Sequence, residues 1–360
     1  MQLELLESPD TAANPANSSV SEADECTSAR PRRRDWLSLC AAASCAAMAL
    51  VLYWPTLGFD FVNWDDPWYV LENPLIRSWH PSNLYRIATE TAIKNYAPLT
   101  LLSFLVDHTL WGLRPAGYHL TNVLLHAINA LLAYVLIRRL TGSRFIGWAT
   151  AALFAVHPLQ VESVAWVSSR KGLLSGALIL GSLVCWLRPN RDAKHEGFGL
   201  LLYAAALLSK ANAIVVPPVV LLYDVIVRRD SWSAAIARQF VPGVMAVLLL
   251  LITMTAQGTE MGGVRGHMEF GKLQILALDA VILWKYVGML LVPRDLCVLY
   301  DQPTSGIAGE IALATVGWLI VAAIMVRIRS RYPLVVFALL CSLLSPFPVT
   351  NPFPTTTLMH

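Results

Sequence analysis

Apolar runs alternate with short arginine clusters along most of this chain, and that alternation restricts what it can fold into. Trp36–Leu57, Tyr118–Ile137, Phe145–Val156, Gly172–Leu187, Phe198–Ser209, Ala211–Val227, Phe240–Thr255, Ile307–Val326 and Pro333–Leu344 carry almost no charge. A soluble domain holds about 25% charged residues. Here the figure is 14% against 56% hydrophobic, and the mean hydropathy is +0.54. Such a chain cannot cover a water-facing surface, and a bilayer is the solvent that suits it. The fold class that follows is all-α: a polytopic transmembrane helical bundle of about nine spans. Several runs are shorter than about 20 residues and must borrow flanking residues or sit where the bilayer thins.

The arginines set the expected orientation. Residues 1–35 are poor in large apolar side chains, which predicts a disordered tail, and they end in Arg30, Arg32, Arg33 and Arg34. A basic cluster just before an apolar run marks the cytoplasmic side. Trp36–Leu57 therefore reads as a retained signal anchor with the N-terminus cytoplasmic. Arg138, Arg139 and Arg144 then mark the inner end of Tyr118–Ile137. Keeping them inside requires that Leu99–Arg114 does not span. That stretch reaches only about 24 Å as a helix, and Thr100, Ser103 and Asp107 give it a polar stripe. We read it as an interfacial helix on the outer face. Gln274–Val292, with Asp279 and Lys285, reads the same way, because intramembrane charges are costly. The outer segments are then 58–117 and 257–306.

Net charge is +3, too small to argue for nucleic acid. The six cysteines show no CxxC and no regular spacing, so neither a disulfide framework nor a zinc site is expected. No dinucleotide, Walker A or HExxH motif is present, and no internal repeat.

Ionisable residues gather at the outer ends of the spans. Asp65 and Asp66 follow the first span among Trp64, Trp68 and Tyr69. Adjacent acids are often solvated loop charges, and interfacial aromatics often form a belt. The alternative is a general base at the membrane surface, taking a proton from an acceptor hydroxyl. His157, Glu162, Arg170 and Lys171 form a second group. Snorkelling to headgroups accounts for the cations. A phosphate site does so equally, since the pair lies outside against the positive-inside trend. Lys210 is either a turn lysine or a further cation for the same phosphate, and Lys285 and Arg294 are similar candidates. Asp107 and His108 read as a solvated helix edge, with Asp107 kept, alongside His157, Glu162 and Lys285, as possible support. No metal ligand set and no cofactor is expected. The pattern suits a lipid-phosphate donor, and suits a transporter equally.

Five ordered blocks resemble the GT-C glycosyltransferases, and more closely the membrane half of the transmembrane and tetratricopeptide-repeat O-mannosyltransferases and their bacterial relatives. They are FVNWDDPWYVLENP at Phe61–Pro74, the stretch from Asn95 through WGLRPAGYHLTNVLLH at Trp111–His126, and ALFAVHPLQVESVAWVSSRKGLLS at Ala152–Ser175. Leu207–Asp224 and WKYVGMLLVPRDLCVLY at Trp284–Tyr300 complete the set. The resemblance implies a GT-C-like transmembrane domain over 36–350. It also implies inverting transfer of a sugar, typically mannose, from a polyprenyl-phosphate donor to a protein hydroxyl on the outer or lumenal side. Asp65 and Asp66 match the family's acidic pair. Arg170, Lys171 and Lys210 are the expected donor-phosphate ligands. The likeness to bacterial relatives favours a bacterial inner membrane, with the endoplasmic reticulum as the alternative. Two departures stand out. Ser169-Arg170-Lys171-Gly172 replaces a charged ERKD, and Ala97 replaces the usual His before Pro98. The tetratricopeptide repeats are expected to be absent beyond the short tail 351–360. A lipid-linked sugar carrier or flippase, or a truncated inactive paralogue, are the rival readings.

Overall fold

In a computed structural model, described for residues 36–91, 96–260, 272–294, 296–297 and 307–346, every regular element among the described residues is a helix or helical turn. The tail 1–35, the end segment 351–360 and much of 257–306 lie outside the described residues. The chain divides at residue 40, and of the N-terminal unit only Trp36–Cys40, the start of the first helix, is described.

The elements in chain order are α1 (Trp36–Tyr53), a turn at Trp54–Gly58, a π turn at Pro67–Leu71, a 3₁₀ turn at Pro74–Ile76, α2 (Pro81–Thr89) and α3 (Pro98–Trp111). Then follow α4 (Pro115–Thr141), α5 (Arg144–Val156), α6 (Gln160–Ala165), α7 (Arg170–Trp186) and α8 (Ala193–Ser209). The remainder is α9 (Val216–Leu222), a π turn at Tyr223–Val227, α10 (Trp232–Arg238), α11 (Phe240–Glu260), α12 (Lys272–Leu291), α13 (Ala308–Ile328) and α14 (Pro333–Leu344).

Among the described residues, three stretches are long and apolar enough to cross a bilayer: Trp36–Gly58, Pro115–Thr141 and Ala308–Ile328. A fourth arises if α10 and α11, bent by 55° at their junction, act as one broken span. This is an integral membrane protein. The other runs expected to span are helical in place but short: 13 residues in α5, 17 in α7, 17 in α8 and 12 in α14. Ala211–Val227 is divided into a 3₁₀ turn, α9 and a π turn. Pro217 and Pro218, which lack backbone N–H groups, sit at the head of α9 and mark that division.

Helix breaks at membrane depth leave backbone carbonyls that lipid cannot satisfy. A polar stripe on α4 meets them. His119, Asn122, His126 and Asn129 follow helical spacing and are all buried. Asn122 Nδ2 donates to the carbonyls of Val164 (3.3 Å) and Trp166 (3.1 Å), where α6 ends. His126 Nε2 donates to Ala155 O at 3.0 Å, at the end of α5. Asn129 Nδ2 donates to Leu173 O at 3.0 Å, in the first turn of α7.

Close approach elsewhere depends on glycine. α4 stops at Gly142, whose φ of +70° favours a residue without Cβ, and Ser143 caps α5 through Ile146 N at 3.2 Å. Gly199 lets α8 lie under the Trp186 indole, since a Cβ there would stand 2.4 Å from Nε1.

The segment between α1 and α4 has a core of its own. Tyr69, Val70 and Ile76 pack with Ile87 of α2, Leu101, Phe104 and Leu105 of α3, and Tyr118 of α4. α3 is 14 residues long, about 21 Å, too short to cross. Its polar stripe was expected to face water. Instead Thr100 and Asp107 are buried, at 0% and 2% exposure, and bond to other elements of the protein.

Candidate active site

The junction before α7 gathers the chemistry. Residues 168 to 171 run from a 3₁₀ turn into the first turn of α7, and their side chains point in different directions. Ser168 meets the first loop. Its amide donates to Asp66 Oδ1 at 2.9 Å, and its hydroxyl donates to the same oxygen. The other oxygen of Asp66 accepts from the Val62 amide at 2.8 Å. Asp66 is only 1% exposed. Both oxygens are occupied, so Asp66 anchors the loop rather than meeting an acceptor at the surface.

Arg170 turns inward, contrary to the expectation that it meets a donor phosphate. It is fully buried. Nη2 lies 2.7 Å from Asp107 Oδ2 and donates to Tyr118 O at 2.8 Å, while Nε donates to Asn122 Oδ1. The Phe104 ring centroid is 4.9 Å from the guanidinium carbon. Asp107 in turn accepts from Thr121 Oγ1 at 2.8 Å. Asp107 is therefore not a solvated edge. It balances the buried charge of Arg170, because a lone ion in such a site is costly. The pair joins α3, α4 and α7.

Lys171, the next residue, faces the surface. Its Nζ lies 3.7 Å from Asp65 Oδ2, and each side chain is about one-fifth exposed. The same ammonium sits 5.0 Å from the Tyr69 ring centroid. Lys210 comes from the turn after α8, a turn held to α3 by Thr100 Oγ1 donating to Ser209 O at 3.0 Å. A Cβ on Gly172 would lie 3.9 Å from Lys210 Nζ, so the amine stands beside the head of α7. Burial, with Lys171 adding to it and Glu162 opposing, pushes Lys210 down to about 8.

Asp65, Lys171 and Lys210 thus form one partly open cluster, with exposed Glu162 acting on Lys210. Beside it lies a groove of about 510 Å³ lined by Asn63, Trp64, Pro67, Trp68 and Glu72. His157 is used elsewhere. Its Nδ1 accepts from Leu159 N at 3.2 Å and its Nε2 donates to Leu290 O at 3.0 Å, fastening the α5–α6 turn to the end of α12. Lys285 lies on α12, which packs on α13 through Trp284 and Trp318 with ring centroids 4.6 Å apart. Among the described residues, no three His, Cys, Asp or Glu side chains gather to hold a metal ion.

Parts of this sequence are similar to known proteins. The chain is 36% identical over 186 residues to the Protein O-mannosyl-transferase Tmtc1 of Drosophila melanogaster, which covers 49% of this chain and 22% of that relative. It is 31% identical over 222 residues to human TMTC1, covering 54% and 25%. A Caenorhabditis elegans protein O-mannosyl-transferase, F38B6.6, is 24% identical over 270 residues, covering 71% and 38%. Over the matched part, the chain is similar to the TMTC protein O-mannosyl-transferases. It spans a quarter or so of the length of its TMTC relatives in the first two matches. No family model and no solved structure matches it.

Two residues of this site, Ser168 and Asn122, are not singled out by the sequence alone. Ser168 carried no signal beyond lying in a resembling block. Asn122 did carry one: the 119, 122, 126, 129 spacing places four polar residues on one face of an otherwise apolar helix.

Proposed function

We propose that this chain carries the membrane site of a protein O-mannosyltransferase, using a polyprenyl-phosphate sugar as donor and a protein hydroxyl as acceptor. The site lies on the outer or lumenal face and the N-terminus is cytoplasmic. Support for that orientation comes from the arginines before α1 and after α4. Both candidate membranes, bacterial inner membrane and endoplasmic reticulum, present such a face.

The observation that carries the reading is the pairing of a partly exposed carboxylate, Asp65, with the partly exposed Lys171, close to the more buried Lys210. Asp65 takes the acceptor proton as the acceptor oxygen attacks the anomeric carbon. The bond from that carbon to the phosphate oxygen breaks, and the polyprenyl phosphate leaves with the electron pair. Lys171 and Lys210 meet the charge that develops on it. Asp66 and Arg170 do not touch substrate in this scheme. They hold the loop and the head of α7 so that Asp65 and Lys171 face each other. The names of the relatives support mannosyl transfer to protein.

The test is transfer from radiolabelled polyprenyl-phosphate mannose by the detergent-purified chain. Asp65→Asn is expected to lower transfer by about 100-fold or more, with the thermal unfolding midpoint unchanged. Full transfer by that variant overturns the assignment. Donor binding without any transfer by the unaltered chain points to a carrier or an inactive paralogue instead.

A further inference from the structure

The far end of α7 carries a second cationic group that the transfer scheme does not use. Seventeen residues separate the ends of this helix, about 25 Å. Arg139, in the last turn of α4, donates from Nη1 to Val184 O at 2.8 Å, while its side chain is otherwise exposed. Arg188 follows the end of α7, and both arginines act electrostatically on Cys185. Val184 lies four residues before Arg188, so both arginines stand at the junction of two helix ends. Arg228 Nη1 reaches the Arg188 carbonyl at 3.5 Å, bringing a third guanidinium behind them.

The acids at this end are engaged by other groups. Asp224, fully buried, is met by Arg191, by Arg238 at 3.6 Å and by Arg228 at 3.9 Å. Asp230 is met by Arg238 and by Arg228 at 3.3 Å. Glu196 lies 3.7 Å from Arg191, and Asp192 pairs with His195. Asp192 also acts on Arg188, but from beyond ion-pair distance. Among the described residues, neither Arg139 nor Arg188 has a carboxylate within 4 Å. Arg139 is fixed through its own guanidinium at the last turn of α7, and Arg188, just beyond that turn, through its backbone carbonyl. A guanidinium so placed still offers several donors in a planar fork, which matches phosphate oxygens.

We propose that Arg139 and Arg188, backed by Arg228, bind the phosphate of an anionic membrane lipid at the end of the bundle opposite the Asp65 cluster. A lipid is favoured over a free anion because both arginines sit at the ends of apolar helices, where headgroups lie and acyl chains run alongside. Basic pockets between helices at that depth suit such headgroups.

The full-length chain, purified in detergent, is incubated with phosphatidylglycerol or phosphatidylcholine, and retained lipid is counted by native mass spectrometry. Phosphatidylglycerol is expected to stay bound and phosphatidylcholine to be lost. R139Q/R188Q is expected to lower retention by about ten- to thirty-fold. R139K/R188K keeps the charge without the fork. It is expected to fold and to retain an intermediate amount, which guards against a misfolded glutamine variant. R327Q/R329Q, an exposed basic pair at the end of α13, is the control and is expected to change nothing. Equal retention of the two lipids overturns the proposal, as does equal loss in the control pair. Displacement of phosphatidylglycerol by equimolar inorganic phosphate shows that the site takes a free anion and overturns the lipid assignment.

Discussion

The two ends of α7 use the same side chains to opposite effect. At the far end, Asp224 is fully buried and three arginines converge on it, closing the α7–α8 connection against the π turn and α10. At the near end the charges are divided. Arg170 and Asp107 are sealed inside, while Lys171 and Asp65 stay 3.7 Å apart and partly exposed. A buried pair is worth keeping intact because removing one partner strands a charge. An exposed pair contributes little to stability and so is free to be broken by a substrate. The contrast separates ions that hold the structure from ions that can do chemistry, within one helix.

Four substitutions would break or sharpen that contrast. Asp224→Ala is expected to be the most damaging to the fold, by about 3–5 kcal/mol or more, because it strands a cluster of arginines. Thermal unfolding in detergent measures it, and a loss under about 1 kcal/mol would mean that the arginines find water instead. Ser168→Ala removes the hydroxyl that holds Asp66, leaving the amide bond in place. It should cost about 1–3 kcal/mol and lower transfer, as the loop bearing Asp65 loosens. Unchanged transfer with reduced stability would separate Asp66 from the geometry of Asp65.

The remaining two concern the lysines near Asp65. Lys210 is held down to about 8, so its amine is charged below that pH and neutral above it. Donor binding, followed with labelled lipid, is expected to fall as pH rises through about 8. Lys210→Arg, charged throughout, should flatten the profile, and an unchanged profile in that variant would remove Lys210 from the phosphate site. Lys171→Met is expected to shift stability by less than about 1 kcal/mol while lowering transfer. A large stability loss would move Lys171 from the chemical to the structural class.

Much of the fold was legible from composition. Helix positions, the interfacial length of α3 and the α4 span all follow from where charge is missing and where proline and glycine stand. The structure adds the helix lengths: among the described residues three stretches are long and apolar enough to cross alone, and the other apolar helices are shorter or bent. The acidic pair was legible as a pair, but the division of labour within it was not. Asp65 and Asp66 are neighbours of the same type, and their partners tell them apart: Val62 and the distant Ser168 for Asp66, Lys171 for Asp65. Arg170 and Lys171 look equally suited to phosphate in the sequence, yet one residue of helix turns the first toward Asp107 and the second toward Asp65.

The sequence by itself determined that this chain is a helical membrane protein with ionisable groups confined mainly to helix ends, because a bilayer tolerates little else. Tertiary structure decided which of those groups are sealed into ion pairs and which remain open. That choice depends on burial and on partners far away in the chain, and residue type carries no record of either.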